Sequence, residues 1–162
     1  GFLLATLLLS VQVVFAQSKS DKLYDTFSGK EGITNFSFTK NMIDAIDIDL
    51  GDDGDERNVT GDLHEIRLLS YNPEKGDLTG SEFIEKAVAL LPRAYKKYEE
   101  PDSHDSDAEI WLLGKRKKYS ECHVFIKNED SDGNRFVISF YGDFNVNDLE
   151  QLKNTGRNLS GD

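Results

Sequence analysis

The chain has 162 residues, a formal net charge of −11 and a single cysteine, Cys122. An intramolecular disulfide is therefore excluded, and so acidic a balance argues against nucleic acid as a partner, because duplex and phosphate-tracking proteins draw on clustered Lys and Arg. The length suits one ordinary domain that builds its core without covalent staples.

Residues 2–16 run from Phe2 to Ala16 without a charge, interrupted only by Thr6, Ser10 and Gln12 among the apolar side chains. The run is shorter than the roughly 20 residues a membrane-spanning helix needs. It ends in a small residue, with Val14 two positions before Ala16. This predicts a secretory signal, residues 1–16, cleaved before Gln17, in preference to a buried helix of the domain. Residues 17–162 are then a single exported domain. No cysteine opens that domain, which argues against lipid attachment there.

Leu23, Tyr24 and Phe27 at helical spacing predict a short helix within residues 21–30. Gly32 opens a strand over Ile33–Phe38, with Thr34, Phe36 and Phe38 on one side. Thr39 can cap a helix through Ile46 that turns Met42, Ile43 and Ile46 inward. Residues 47–58 form an acidic loop, and Leu63–Tyr71 resumes as a strand. Thr79 and Glu82 fit a capping box. The helix after them places Phe83, Ala87, Leu91, Ala94 and Tyr98 along one side, and Pro92 is expected to kink or divide it. A second acidic loop covers residues 99–107, and a strand with Trp111 covers Ala108–Leu113.

The basic turn Lys115-Arg116-Lys117-Lys118 leads into the best-marked stretch of the chain. Cys122, Val124 and Ile126 alternate with Glu121, His123, Phe125 and Lys127. After the polar run 128–134, Phe136, Ile138 and Phe140 alternate with Val137, Ser139 and Tyr141. Period-two alternation on both sides of a Gly-containing loop marks an antiparallel hairpin. Asn145 and Asp148 then start a short helix with Val146, Leu149 and Leu152 on its apolar stripe, and the tail after Lys153 is expected to fray. The predicted fold class is α+β: a largely antiparallel sheet of about five strands, helices packed on one face. The other face, bearing Phe125, Val137 and Tyr141, is expected to be only partly covered.

The order of these elements, with Asp21-Lys22-Leu23-Tyr24, Phe27 through Thr34 and Lys40-Asn41-Met42 at one end, and Phe136 through Phe144 with Val146, Leu149 and Leu152 at the other, resembles the family known as domain of unknown function 4252. The resemblance covers nearly all of residues 17–162 and rests on structural motifs. It implies a small exported or lipid-anchored envelope protein of Gram-negative bacteria, and it brings no catalytic residues. The long loop 47–58 and the absence of a lipid-accepting cysteine depart from the pattern.

Little in the chain points to catalysis. Asn128, Asp130, Asp132 and Gly133 imitate the start of an EF-hand loop, but Ser139 stands where the bidentate Glu belongs and the flanks are strands. Cys122 and His123 are adjacent on a strand, so they point to opposite faces and form no dyad. His64, His104 and His123 lack ligand spacing, although neighbouring strands can bring His64 and His123 together. No phosphate loop, nucleophile elbow or carboxylate pair is nominated. No cofactor is implied. The reading is an exported periplasmic or envelope protein that leans away from catalysis and acts as a protein-binding module. Its expected surface is Phe125, Val137 and Tyr141, with Lys115, Arg116, Lys117 and Lys118 at the rim. Membrane contact is limited to an uncleaved signal or a weak surface attraction. The alternative is a calcium or small-ligand binder that uses the acidic loops.

Overall fold

The computed structural model describes residues 20–45, 63–99, 108–127, 133–145 and 149–161. Helix α1 (Asp21–Phe27) buries Leu23, Tyr24 and Phe27, and it ends where the chain turns through Gly29 at a φ of 76°. Strand β1 (Ile33–Thr39) runs directly into α2 (Lys40–Ala45), of which only Ile43 is buried, while Met42 is exposed. Strand β2 spans Leu63–Tyr71. Helix α3 (Gly80–Ala89) starts on the full capping box: the Glu82 amide donates to the Thr79 hydroxyl, and the Thr79 amide donates to the Glu82 carboxylate. The remaining elements are β3 (Lys96–Lys97), β4 (Ala108–Lys115), β5 (Lys118–Ile126), β6 (Arg135–Asn145) and α4 (Leu149–Leu159).

The six strands form one antiparallel sheet in the order β1-β2-β6-β5-β4-β3. The expected hairpin, β5 with β6, lies at its centre. The strand expected from Ile33, the strand Leu63–Tyr71 and the strand with Trp111 are all present. The sixth strand is β3, two residues long, in chain that was expected to be helical. Pro92 accounts for this. The residue before a proline is pushed out of the helical region, so α3 stops at Ala89 and does not kink, and Tyr95 turns inward instead of riding on a helix.

Helices cover both faces, which corrects the expectation of one. Ile43 of α2 and Leu149 and Leu152 of α4 pack with Ile66, Leu68, Cys122, Val124, Ile138 and Phe140 on one side. Leu23, Tyr24 and Phe27 of α1 and Phe83, Ile84 and Ala87 of α3 pack with Leu69, Tyr71, Phe125 and Val137 on the other. A sheet buried on both faces needs apolar residues at successive positions, and Val124-Phe125-Ile126 and Phe136-Val137-Ile138 supply them. The tail is likewise corrected: α4 continues to Leu159, with Leu159 packed on the core.

Gly156 in α4 sits against the sheet. A methyl group there would meet Val124 at 3.6 Å and Ile138 at 3.8 Å, ordinary van der Waals distances. Gly156→Ala is therefore expected to stabilise the fold by about 0.5–1 kcal/mol, through the backbone entropy that a helical glycine loses. Urea denaturation checks this as a rise in midpoint.

Candidate functional site

The strand register lines up side chains from β2, β6 and β5 in rows beneath α1 and α3. One row is apolar, Leu69, Val137 and Phe125. The next is Arg67, Ser139 and His123, and the one after it is Glu65, Tyr141 and Glu121. Polar side chains at these positions break the apolar pattern of the face, and α1 and the segment after α3 cover them with polar groups of their own.

The hydroxyl of Tyr24 donates to Ser139 Oγ at 2.6 Å. Ser139 has one proton of its own, which is left to be donated to His123 Nδ1, 2.6 Å away. His123 Nε2 then carries the ring proton and donates it to Glu121 Oε2 at 2.9 Å. The Tyr95 hydroxyl donates to the same Glu121 oxygen in a short bond. Ser20 and Tyr141 share a hydrogen bond of 2.7 Å between their hydroxyls. Arg67 lies over the rings of Tyr24 and Tyr141 and pairs with Asp21 at 2.8 Å and Glu65 at 2.7 Å.

Ser20, His123 and Ser139 have no exposed surface. Burial holds the His123 imidazole below its ordinary pKa of 6.5; the bond to Glu121 opposes this and the Arg67 charge reinforces it. The ring is thus neutral at neutral pH, as the hydrogen-bond directions require. Burial raises the Tyr24 phenol well above its usual range, and pushes Tyr141 up to about 12. Both remain protonated.

Serine, histidine and glutamate in series are the parts of an acyl-transfer relay. Here the serine hydroxyl is engaged on both sides and sealed under α1. Two surface grooves among the described residues lie elsewhere and are lined by other residues. One, of about 830 Å³, opens between the ends of α1 and α3, with a floor of Phe27, Ile33, Tyr71 and Leu90 and with Lys30 and Lys86 at its rim. Another, of about 420 Å³, flanks α3 beside Glu109, Lys127 and Arg135. There Glu109 accepts from Lys127 at 2.6 Å and from Trp111 Nε1 at 2.7 Å; burial works against its charge, but these two donors together hold its carboxyl below the usual range.

The residues expected to form a binding surface are divided by the structure. Phe125 and Val137 are fully buried and Tyr141 is 9 % exposed, so the face expected to be open is core beneath α1 and α3. The four basic residues Lys115, Arg116, Lys117 and Lys118 are exposed at the β4–β5 hairpin tip. Seven residue steps along β5, roughly 23 Å at strand rise, lead from Lys118 to Phe125. The tip is not the rim of the apolar row.

Asn128, Asp130 and Asp132 lie outside the described residues, as do the acidic loop 47–58 and His104. His64 is exposed on β2, with β6 between it and β5, so it does not meet His123. Cys122 does lie opposite His123: it is buried in the α2–α4 core, where desolvation pushes its thiol well above the ordinary range. Among the described residues, no three His, Cys, Asp or Glu side chains are grouped to hold a metal ion.

Tyr24, Tyr95, Glu121 and Ser139 were not singled out from the sequence. The available signal was the polar trio Glu121, His123 and Ser139 on the strand face that also carries Phe125 and Val137. A family model described as Domain of unknown function (DUF4252) matches residues 24–152, beginning at the tyrosine that anchors this network. No curated protein and no solved structure matches the chain.

Proposed function

The chain belongs to the domain of unknown function 4252 family, and from that premise we propose that it is an exported, non-catalytic interaction module that holds an acidic protein partner in the cell envelope through the tip Lys115–Lys118. The construction of the tip carries this reading. Arg116 and Lys117 have φ values of 54° and 64°, the left-handed region in which side chains are strained. Two-residue hairpin turns of this geometry are relaxed by Asn-Gly. Here two long cations occupy them, and Lys115 pairs directly across from Lys118, an unfavourable arrangement for like charges.

Just behind the tip, the β4–β5 register shifts at Leu113/Gly114, where Ser120 of β5 is the extra residue, and a side chain on Gly114 would overlap the Lys118 backbone. Local rules broken together at an exposed site are expected where contact, not stability, has shaped the residues. A cationic tip on a chain of net charge −11 offers an acidic partner one favourable direction of approach. The charge-free run 2–16 supports export. Small-ligand binding is the second reading, favoured by the apolar-floored groove between α1 and α3.

The double variant Arg116→Asn/Lys117→Gly keeps the turn and removes its strain and half its charge. It is expected to raise stability by roughly 1–2 kcal/mol while weakening capture of a cross-linked partner from envelope extract. Capture at the wild-type level would overturn the assignment of the contact to the tip.

A further inference from the structure

The two edges of the sheet are built differently. At one edge β3 is only two residues long, and both are exposed lysines. Short, charged edge strands resist pairing with another chain. At the other edge β1 runs for seven residues, Ile33-Thr34-Asn35-Phe36-Ser37-Phe38-Thr39, with no charge and no proline. Its pairing with β2 is continuous from Ile33 to Thr39, without a bulge. β-branched and aromatic residues fill four of the seven positions and Thr39 adds a fifth, a composition that favours strands. Among the described residues β1 pairs with β2 alone, so a row of its backbone groups faces outward. The large apolar side chains exposed among the described residues are Phe36, at 56 %, and Met42, at 46 %. Both belong to this edge, in β1 and in the helix that follows it.

We infer that β1 is a self-association edge, which pairs antiparallel with β1 of a second copy about a two-fold axis at Phe36 and joins two six-stranded sheets into one. The strand is self-complementary in that register. Phe36 faces its own counterpart, Asn35 faces Ser37, Thr34 faces Phe38, and Ile33 faces Thr39. Facing aromatic side chains stabilise neighbouring strands, and the pairing satisfies the outward backbone groups of both copies. Charge points to the same surface. Two copies of net charge −11 repel one another over most approaches, and β1 brings no ionisable side chain of its own to the contact. A two-fold contact of one patch with itself is also the commonest way in which soluble chains associate. The inference is independent of the partner assigned to the basic tip, because β5 lies three strands away from β1.

Cysteine placement tests the register in the full chain. Thr34→Cys, Phe36→Cys and Phe38→Cys are each oxidised and read on non-reducing gels; the native Cys122 is fully buried and does not compete. Only position 36 is placed opposite itself, with Cβ atoms about 4.5–5.5 Å apart. Positions 34 and 38 are each roughly 14 Å from their own counterparts at strand rise. The expected result is a covalent dimer from Phe36→Cys alone. In sedimentation, the unmodified chain is expected at twice the monomer mass and Phe36→Lys, which sets two cations face to face, at the monomer mass. Phe36 is more than half exposed, so the lysine variant is expected to keep the circular dichroism of the unmodified chain. Cross-linking at 34 or 38, cross-linking at no position, a monomeric unmodified chain or a dimeric Phe36→Lys would each overturn the inference.

Discussion

Replacing Phe125 with alanine is expected to lower the free energy of unfolding by about 3–5 kcal/mol. The ring has no exposed surface and packs between Val137 of the neighbouring strand and the α1–α3 layer, where Phe83 stacks on Tyr71 and meets Phe27 edge-on. Truncation leaves a cavity that Phe83 and Ala87 cannot fill, since they are fixed on a helix capped at its start by Thr79 and Glu82. Urea titration followed by circular dichroism reads the loss as a lower midpoint. A change below 1 kcal/mol with normal folding would mean that the face is open, as an exposed aromatic contributes little.

The imidazole of His123 is the second position with a large expected effect. His123→Ala removes the group that links Ser139 to Glu121, leaving both buried without that partner. Glu121 keeps the Tyr95 donor, whereas Ser139 loses the acceptor of its proton at a cost of about 1–3 kcal/mol; the lost ring also leaves a cavity, so a destabilisation of about 3–5 kcal/mol is expected in all. The pH dependence separates this contribution from packing. Burial holds the folded-state pKa of His123 below the 6.5 of the free side chain, so the unfolded chain takes up the proton first. The stabilisation is present in full above 6.5 and is lost as pH falls from there toward the folded-state value, by at most about 1.4 kcal/mol per pH unit. The groups facing the ring are Glu121, Ser139, Tyr95 and Tyr141, with the Arg67 charge in the same layer. His123→Gln keeps one donor and one acceptor but does not titrate. Its midpoint is expected to fall less between pH 7 and pH 5 than that of the unmodified chain. Parallel curves would show that another group sets the acid sensitivity.

The β5–β6 hairpin, the strand Leu63–Tyr71 and the Thr79 capping box were legible in the sequence because each rests on neighbouring residues: alternation, or a hydroxyl three positions before a carboxylate. The placement of Phe125 and Val137 was not. Alternation separates the two faces of a strand but does not say whether the second face is covered, and here two helices distant in the chain, α1 and α3, cover it. The break after Ala89 was half legible. Pro92 marked the position but not the path beyond it, where the Tyr95 hydroxyl turns in to donate to Glu121. The network itself is a product of register. Ser139 and His123 are 16 residues apart, and only the pairing of β5 with β6 sets them opposite one another. Arg67, Ser20 and Tyr24 reach the same layer from still more distant parts of the chain.

On the function proposed above, the molecule divides into a buried polar layer that holds α1 to the sheet and an exposed basic tip that takes the partner. The measurement that tests this division most directly sets two variants side by side, Ser139→Ala and the tip with Lys115, Arg116, Lys117 and Lys118 all changed to Gln. Each is scored for urea midpoint and for the amount of cross-linked partner captured from envelope extract. The expected result is a lower midpoint with capture retained for Ser139→Ala, and a retained midpoint with capture lost for the neutralised tip. A folded Ser139→Ala protein that loses capture while the neutralised tip keeps it would overturn this division and move function into the Ser139–His123–Glu121 layer.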